Sequence, residues 1–194
     1  TGELLNAVKP RRGVGIDSSQ GMIEVARQRF PRLEFINEDI QSLALSETFD
    51  YIILTNTLGY FEDIQDAISH LKKFCRPATR FIVCYPNQVW KPILDLAEKL
   101  GLRMKWPEKH WLSMDDIENI FRLEDFELVK KDYKFLLPLK IPVLSVFLNR
   151  VLANLPFFRH FALNFTMVFR LRQTARAPRE ATCSVIIPCR NEKG

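Results

Sequence analysis

Residues 12–58 carry three short apolar runs, each closed by polar residues suited to meeting a ligand, and this spacing constrains the fold most. Gly-Val-Gly-Ile at 13–16 stops at Asp17. Leu-Glu-Phe-Ile at 33–36 closes on Asn37, Glu38, Asp39 and Ile40. Phe-Asp-Tyr-Ile-Ile-Leu at 49–54 ends in Thr55, Asn56, Thr57 and Leu58. Short strands alternating with helical stretches predict an α/β fold, a doubly wound and mostly parallel sheet with helices on both faces. In such sheets ligands bind beyond the carboxyl ends of the strands. Asp17, Asp39, Asn56 and Thr57 are therefore expected on one rim.

The helices follow from caps and periodicity. Residues 1–8 read as a helix already under way, with Thr1 and Gly2 as the tail of a turn, so a preceding first strand is expected. Ser18 and Ser19 cap a helix whose apolar face is Met22, Val25, Ala26 and the stem of Arg29, ended by Pro31. Asp63 and Asp66 sit at the N-cap and third position of the next helix, favourable for its dipole. Its buried face is Ile64, Ala67, Ile68, Leu71 and Phe74. A fourth strand spans 80–85, and a helix over 92–100 ends at Gly101. Ser113 and Asp116 form a capping box that turns Ile117, Ile120 and Phe121 inward. Strands are expected over 126–135 and 161–171. Between them, 136–160 form an insertion in which Leu144, Phe147, Leu148, Val151, Leu152 and Leu155 recur at helical spacing, an amphipathic helix.

Charge divides the chain. No Asp or Glu occurs between Tyr133 and Arg179, a stretch that holds eight of the 28 Lys and Arg; the remainder has 20 basic against 23 acidic residues. The positive excess lives in one segment. It reads as solvated surface around a core helix, or as an apolar face in the headgroup layer with Lys140, Arg150 and Arg159 on anionic lipid. A nucleic-acid patch is disfavoured, because the aromatics are Phe without a stacking ladder. No signal peptide and no apolar run near 18 residues is present. Four scattered Cys give no metal-ligand spacing and no disulfide framework, so reduced thiols in the cytoplasm and no metal are expected.

Asp17 is the sharpest chemical feature. A carboxylate ending a parallel strand, 15 residues after Gly2, sits where a doubly wound fold holds a ribose diol; it also suits an N-cap with Ser18. Asp39 could accept from an adenine amine, with Ile40 supplying a backbone N–H and an apolar cover, or be a turn residue. These motifs together resemble the class I S-adenosylmethionine-dependent methyltransferases over about residues 1–172, a Rossmann-like fold. The resemblance implies that Gly2 ends the Gly-rich loop, Asp17 holds the ribose, and Ser18 and Met22 flank the nucleoside. It further implies that Glu38, Asp39 and Ile40 meet the adenine, and that Asn56, Thr57 and Leu58 line the methionine end.

Methyl transfer from a sulfonium needs alignment and water exclusion more than a strong base, which fits the lack of a catalytic dyad. On the acceptor side the residues after the third and fourth strands are Tyr60, Tyr85, Asn87 and Trp90. His110 and Trp111 reach toward the same rim; His110, with Tyr60, is the candidate for proton chemistry, or a structural hydrogen-bonder.

Residues 173–182 read as a basic linker. Residues 183–194 are similar to the opening strand of polyprenyl- and dolichyl-phosphate mannose synthase-type glycosyltransferases, which implies that Pro188 and Glu192 match nucleotide-sugar positions. The expectation is a methyltransferase domain (1–172), the linker, and the start of a glycosyltransferase domain (183–194). The acceptor would be a small-molecule or lipid-linked sugar, met at the cytoplasmic membrane face through 134–172, with no nucleic acid. Two alternatives stay open: an inactive methyltransferase-like scaffold that docks a glycosyltransferase, and an NAD-dependent sugar-nucleotide oxidoreductase. The latter would need a Tyr-x-x-x-Lys pair, which the sequence lacks.

Overall fold

A computed structural model of the chain describes residues 2–102, 110–134 and 162–173. The helices are α1 (Glu3–Ala7), α2 (Gln20–Arg29), α3 (Ile64–Lys72), α4 (Lys91–Lys99) and α5 (Met114–Leu123). The strands are β1 (Val14–Asp17), β2 (Glu34–Asn37), β3 (Phe49–Thr55), β4 (Cys75–Pro86), β5 (Phe126–Lys134) and β6 (Asn164–Leu171). The expected insertion at 136–160, and the amphipathic helix expected within it, lie outside the described residues. So do the linker and the stretch carrying Pro188 and Glu192.

The strands pair in two blocks. β1 and β2 are parallel, with Val14 opposite Glu34 and Asp17 opposite Asn37. The second block runs β3-β4-β6-β5. β3 and β4 are parallel, whereas β6 runs antiparallel to both β4 and β5. The α/β fold is as expected, and among the described strands the larger block is mostly parallel: β3, β4 and β5 share one direction and β6 runs against them. The chain returns after β5 at the same end of the sheet and inserts β6 between β4 and β5, which needs no crossover helix.

Two side-chain ties give both blocks the same polarity. At the amino ends, Arg12 before β1 holds Glu47 before β3 in a two-pronged pair at 2.8 and 2.6 Å. At the carboxyl ends, Gln41 after β2 donates to Asp66 in the first turn of α3, 3.0 Å away. The ends of β1, β2 and β3 that carry the polar motifs therefore face one way.

The core follows the period-two pattern of β4 and β6. Phe81, Val83 and Tyr85 alternate inward on β4, and Phe165, Met167 and Phe169 do so on β6. Ala67, Ile68 and Leu71 of α3 and Ile117 and Phe121 of α5 are buried too, as the helical spacing predicts. The Phe121 ring stacks on Phe169 with centroids 4.0 Å apart, and meets Phe81 and Phe126 edge-on. Ile16 and Ile36 join this cluster. On the other face of β1 and β2, Phe35 packs with Ile23 and Ala26 of α2 and with Leu5 of α1. Helices α1 and α2 thus cover one face of that block, and the main cluster meets the other.

The capping expectations for α3 and α5 are met, whereas Ser18 and Ser19 give α2 no side-chain cap. Asp63 accepts the Asp66 N–H at 2.9 Å, and Ser113 with Asp116 closes a complete capping box over α5. Two expectations are corrected. On α2 the buried residues are Ile23 and Ala26, while Met22 and Val25 point outward at 46% and 41% exposure; the helix is rotated so that its inner face meets Phe35. β4 begins at Cys75, five residues before the expected start. There the Thr79 hydroxyl donates to the Phe49 carbonyl and accepts the Arg76 N–H, sewing an irregular lead-in to β3. Burial pushes the Cys75 thiol up to about 11, so it stays protonated and unreactive at neutral pH.

Candidate functional site

The carboxyl ends of β1 and β2 are built as a pair. Asn37 donates its amide to the Asp17 carbonyl at 3.0 Å, clamping the two strand ends side by side. The Asp17 Oδ1 accepts the Ser19 N–H at 2.9 Å, a turn that starts α2. Ser18 and Ser19 give no side-chain cap; Asp17 does that work through its own carboxylate. The pairing uses one oxygen and leaves Oδ2 without a partner among the described residues. The two readings of Asp17, helix-start acceptor and ligand carboxylate, are thus compatible.

Asp39 repeats this arrangement one strand over. Its Oδ1 accepts the Gln41 N–H at 2.9 Å, and its carbonyl accepts from Ser42. Ile40 packs against the main core, which fixes the loop that presents Glu38 and Asp39. Asn37 was inside the motif read from sequence, yet its clamping role was missed. A strand-ending Asn beside a strand-ending Asp is the signal that could have found it.

Glycine fits Phe35 at two points. Gly2 has a φ of +77°, and a Cβ there would come 2.7 Å from the Phe35 ring; a Cβ on Gly15 would do the same. Both positions therefore require glycine, and Gly2 is held against the end of the β1–β2 block.

At the end of β3, Asn56 donates its N–H to the Cys84 carbonyl at 2.9 Å, the last rung of the ladder with β4. It then turns left-handed with a φ of 54°, a conformation that Asn tolerates and most residues avoid. Asn56 and Thr57 are exposed. Leu58 is 1% exposed and anchors a 3-10 turn, Leu58–Tyr60, to the core. Its expected place lining a ligand is therefore taken up by packing.

The structure brings His110 to this turn. Its N–H donates to the Gly59 carbonyl at 3.2 Å, and its own carbonyl accepts the Tyr85 hydroxyl at 2.8 Å. Tyr60 and His110, widely separated in sequence, thus share one neighbourhood. The Lys91 ammonium lies 5.9 Å from the centre of the Trp111 ring, which sets Trp111 beside the start of α4 with Trp90.

Two acceptor-side expectations are corrected. Tyr85 is fully buried, with its hydroxyl engaged, and leaves no surface for an acceptor. Asn87 is 6% exposed. Its amide donates to the Ala162 carbonyl at 3.0 Å, and its N–H to the Leu163 carbonyl at 2.8 Å. It fastens β4 to the lead-in of β6. A cavity of about 180 Å³ opens beside it, lined by Gln88, Ser113, Asp115 and Tyr133; sequence reading assigned none of these four to the acceptor. A larger cleft, about 600 Å³, lies at the opposite, amino end of β1 and β2 among Lys9, Arg11 and Arg32. No metal-binding cluster occurs among the described residues, and none of their helices is long and apolar enough to cross a membrane.

Residues 1–78 match the family model described as a methyltransferase domain. Trans-aconitate 2-methyltransferase of Escherichia coli is 28% identical over 107 residues, 55% of this chain and 42% of that protein. The chain spans less than half the length of the curated relatives it matches. An S-adenosylmethionine-dependent methyltransferase from Clostridium acetobutylicum superposes with a TM-score of 0.57 at 13% identity, over 84% of this chain and 76% of that one. The magnesium protoporphyrin IX methyltransferase of Synechocystis PCC 6803, solved with bound SAH, gives 0.53 at 17% identity, over 81% and 63%. The fold is that of the class I methyltransferases.

Proposed function

We propose that the chain is the body of an S-adenosylmethionine-dependent methyltransferase acting on a hydroxyl-bearing acceptor, a small sugar or a lipid-linked one. The observation that carries this reading is the Asp17–Asp39 rim: two carboxylates on adjacent parallel strand ends, each with one oxygen spent on its own turn. In this reading the open oxygen of Asp17 takes the ribose diol, and Ser18 and Met22 flank the nucleoside. Glu38, Asp39 and Ile40 meet the adenine, while Gly2, Asn56 and Thr57 bound the methionine end. The exposure of Met22 supports its part, since a solvent-facing thioether on α2 is free to cover a ring. The relatives named above supply independent support through their fold and their sulfonium-derived cofactor.

The cofactor would supply an activated methyl group. The protein's own tasks are then to hold the acceptor in line and exclude water. In this reading His110 or Tyr60 takes the proton of an acceptor hydroxyl, and Trp90 and Trp111 offer apolar faces to a sugar ring. The unused edges of β1 and β3 support a further element of the proposal. Among the described residues β1 pairs with β2 alone and β3 with β4 alone, as expected if a first strand precedes Thr1 and joins the blocks. The same proposal has residues 183–194 open a glycosyltransferase domain on the cytoplasmic side of a membrane.

Calorimetric titration of S-adenosylmethionine into the full-length polypeptide tests the reading. We expect micromolar binding, weakened in Asp17→Ala by about 1.5–3 kcal/mol, the range for a hydrogen bond to a charged group. Absence of binding to the unsubstituted protein would leave the fold as a scaffold.

A further inference from the structure

Among the described residues, four of five helices bury at least one side chain or pack one against a core cluster; α4 does neither. No residue of α4 is buried. Its apolar side chains form one stripe together with their neighbours: Val89, Ile93, Leu96 and Leu100, 50%, 55%, 56% and 64% exposed. The spacing of four, three and four residues places them on a single face. Leu102, just past the helix, is 79% exposed. The opposite face is polar, with Lys91 paired to Asp95 at 3.2 Å.

The sequence around this helix is unusual in two ways. All three tryptophans of the chain, Trp90, Trp106 and Trp111, fall within 22 residues of one another. The same stretch holds five cations, Lys91, Lys99, Arg103, Lys105 and Lys109, against three acids. An apolar stripe of a short helix, cations at its flanks and clustered indoles are the features of a helix lying in a membrane interface. Protein interfaces also use Trp with Arg, but here the cations are mostly Lys, which such interfaces disfavour. An anionic bilayer suits both, because indole rings favour the headgroup level and Lys and Arg are drawn to acidic lipid.

The root of α4 is also fixed. Asn87, three residues before Trp90, is tied by its amide and its N–H to Ala162 and Leu163. That tie anchors the helix to residues within the acid-free stretch between Tyr133 and Arg179. We propose that α4 is an in-plane membrane anchor. It would seat Val89, Ile93, Leu96 and Leu100 among acyl chains of an anionic leaflet and hold the rim that carries Trp90 and Trp111 at headgroup depth. This goes beyond the expected contact through 134–172 and stands apart from methyl transfer.

The test uses vesicles of phosphatidylcholine with and without phosphatidylserine, co-sedimentation, and intrinsic tryptophan emission. The chain is expected to pellet with the serine-containing vesicles, shift its emission to the blue, and be quenched by brominated acyl chains. Ile93→Glu with Leu96→Glu should weaken this binding about tenfold or more, and leave both the circular dichroism and the S-adenosylmethionine affinity unchanged, since both side chains already face solvent. Failure of the unsubstituted chain to bind vesicles overturns the proposal. Undiminished binding by the double variant also overturns it, assigning attraction to the cations alone. A self-associated state that the double variant abolishes, without vesicle binding, would instead make the stripe a contact between copies. Retained cofactor binding in any of these cases keeps the failure separate from that of the methyltransferase reading.

Discussion

The β1–β2 block and the β3-β4-β6-β5 block solve the same problem with unequal means. The larger block closes on a cluster of 15 buried residues, dominated by Phe81, Phe121, Phe126, Phe165 and Phe169. The smaller has a buried cluster of three, Ile23, Ala26 and Phe35, and relies on Leu5, Phe30 and Leu33 for cover. Yet the smaller block carries Asp17 and Asp39, whereas the larger carries mostly packing. Buried apolar area is the main source of stability, so the larger block supplies most of it, while the smaller presents the two carboxylates proposed to meet the nucleoside. Regions of low local stability are where ligand-responsive elements are drawn from.

Three substitutions sharpen that contrast. Phe121→Ala removes a ring that touches Phe81, Phe126 and Phe169 at once, and should cost about 4 kcal/mol of global stability, within the range for large-to-small core changes. Thermal and denaturant unfolding would show it as one cooperative loss. Phe35→Ala should cost about 3 kcal/mol, but chiefly as lost amide-exchange protection in β1 and β2, together with weaker S-adenosylmethionine binding. If protection fell equally in β4 and β6, the two blocks would be one cooperative unit and the contrast would fail. Ser113→Ala should cost about 1 kcal/mol, as N-cap removals do, without touching cofactor affinity.

The last of these has a pH signature. Hydrogen bonds from the Ser113 hydroxyl and N–H hold the Asp116 carboxyl below its usual range. A carboxyl lowered on folding stabilises the protein above its unfolded value, and that contribution disappears as pH falls through the folded value. Unfolding curves from pH 7 down to about pH 2 should therefore converge for the Ser113→Ala and unsubstituted proteins at the acid end. Curves that stayed parallel throughout would show that the box contributes through packing alone.

What the sequence disclosed tracks what is local. Caps and strand ends depend on neighbours a few residues away, and Asp63, Ser113, Gly101 and Asp17 were all legible. The inner face of α2 was not, because Met22, Ile23, Val25 and Ala26 form a near-continuous apolar run and only the position of Phe35 decides which pair turns inward. Tyr85 and Asn87 misled for a related reason. A polar residue at a strand's carboxyl end reads the same whether its partner is a ligand or a carbonyl far along the chain, and His110, Ala162 and Leu163 supplied those carbonyls. The antiparallel direction of β6 was hidden as well, since strand direction is set by where β6 inserts rather than by the composition of any strand.

The suspension of His110 has a consequence for how such a protein could change over generations. Position 110 is gripped by its main chain, through the Gly59 carbonyl and the Tyr85 hydroxyl, and its imidazole has no partner among the described residues. Any side chain placed there would inherit the same address. In the proposed reading, selection can therefore exchange the chemistry at this point, acid, base or merely bulky, without renegotiating the fold that delivers it, and new acceptors become reachable by single steps.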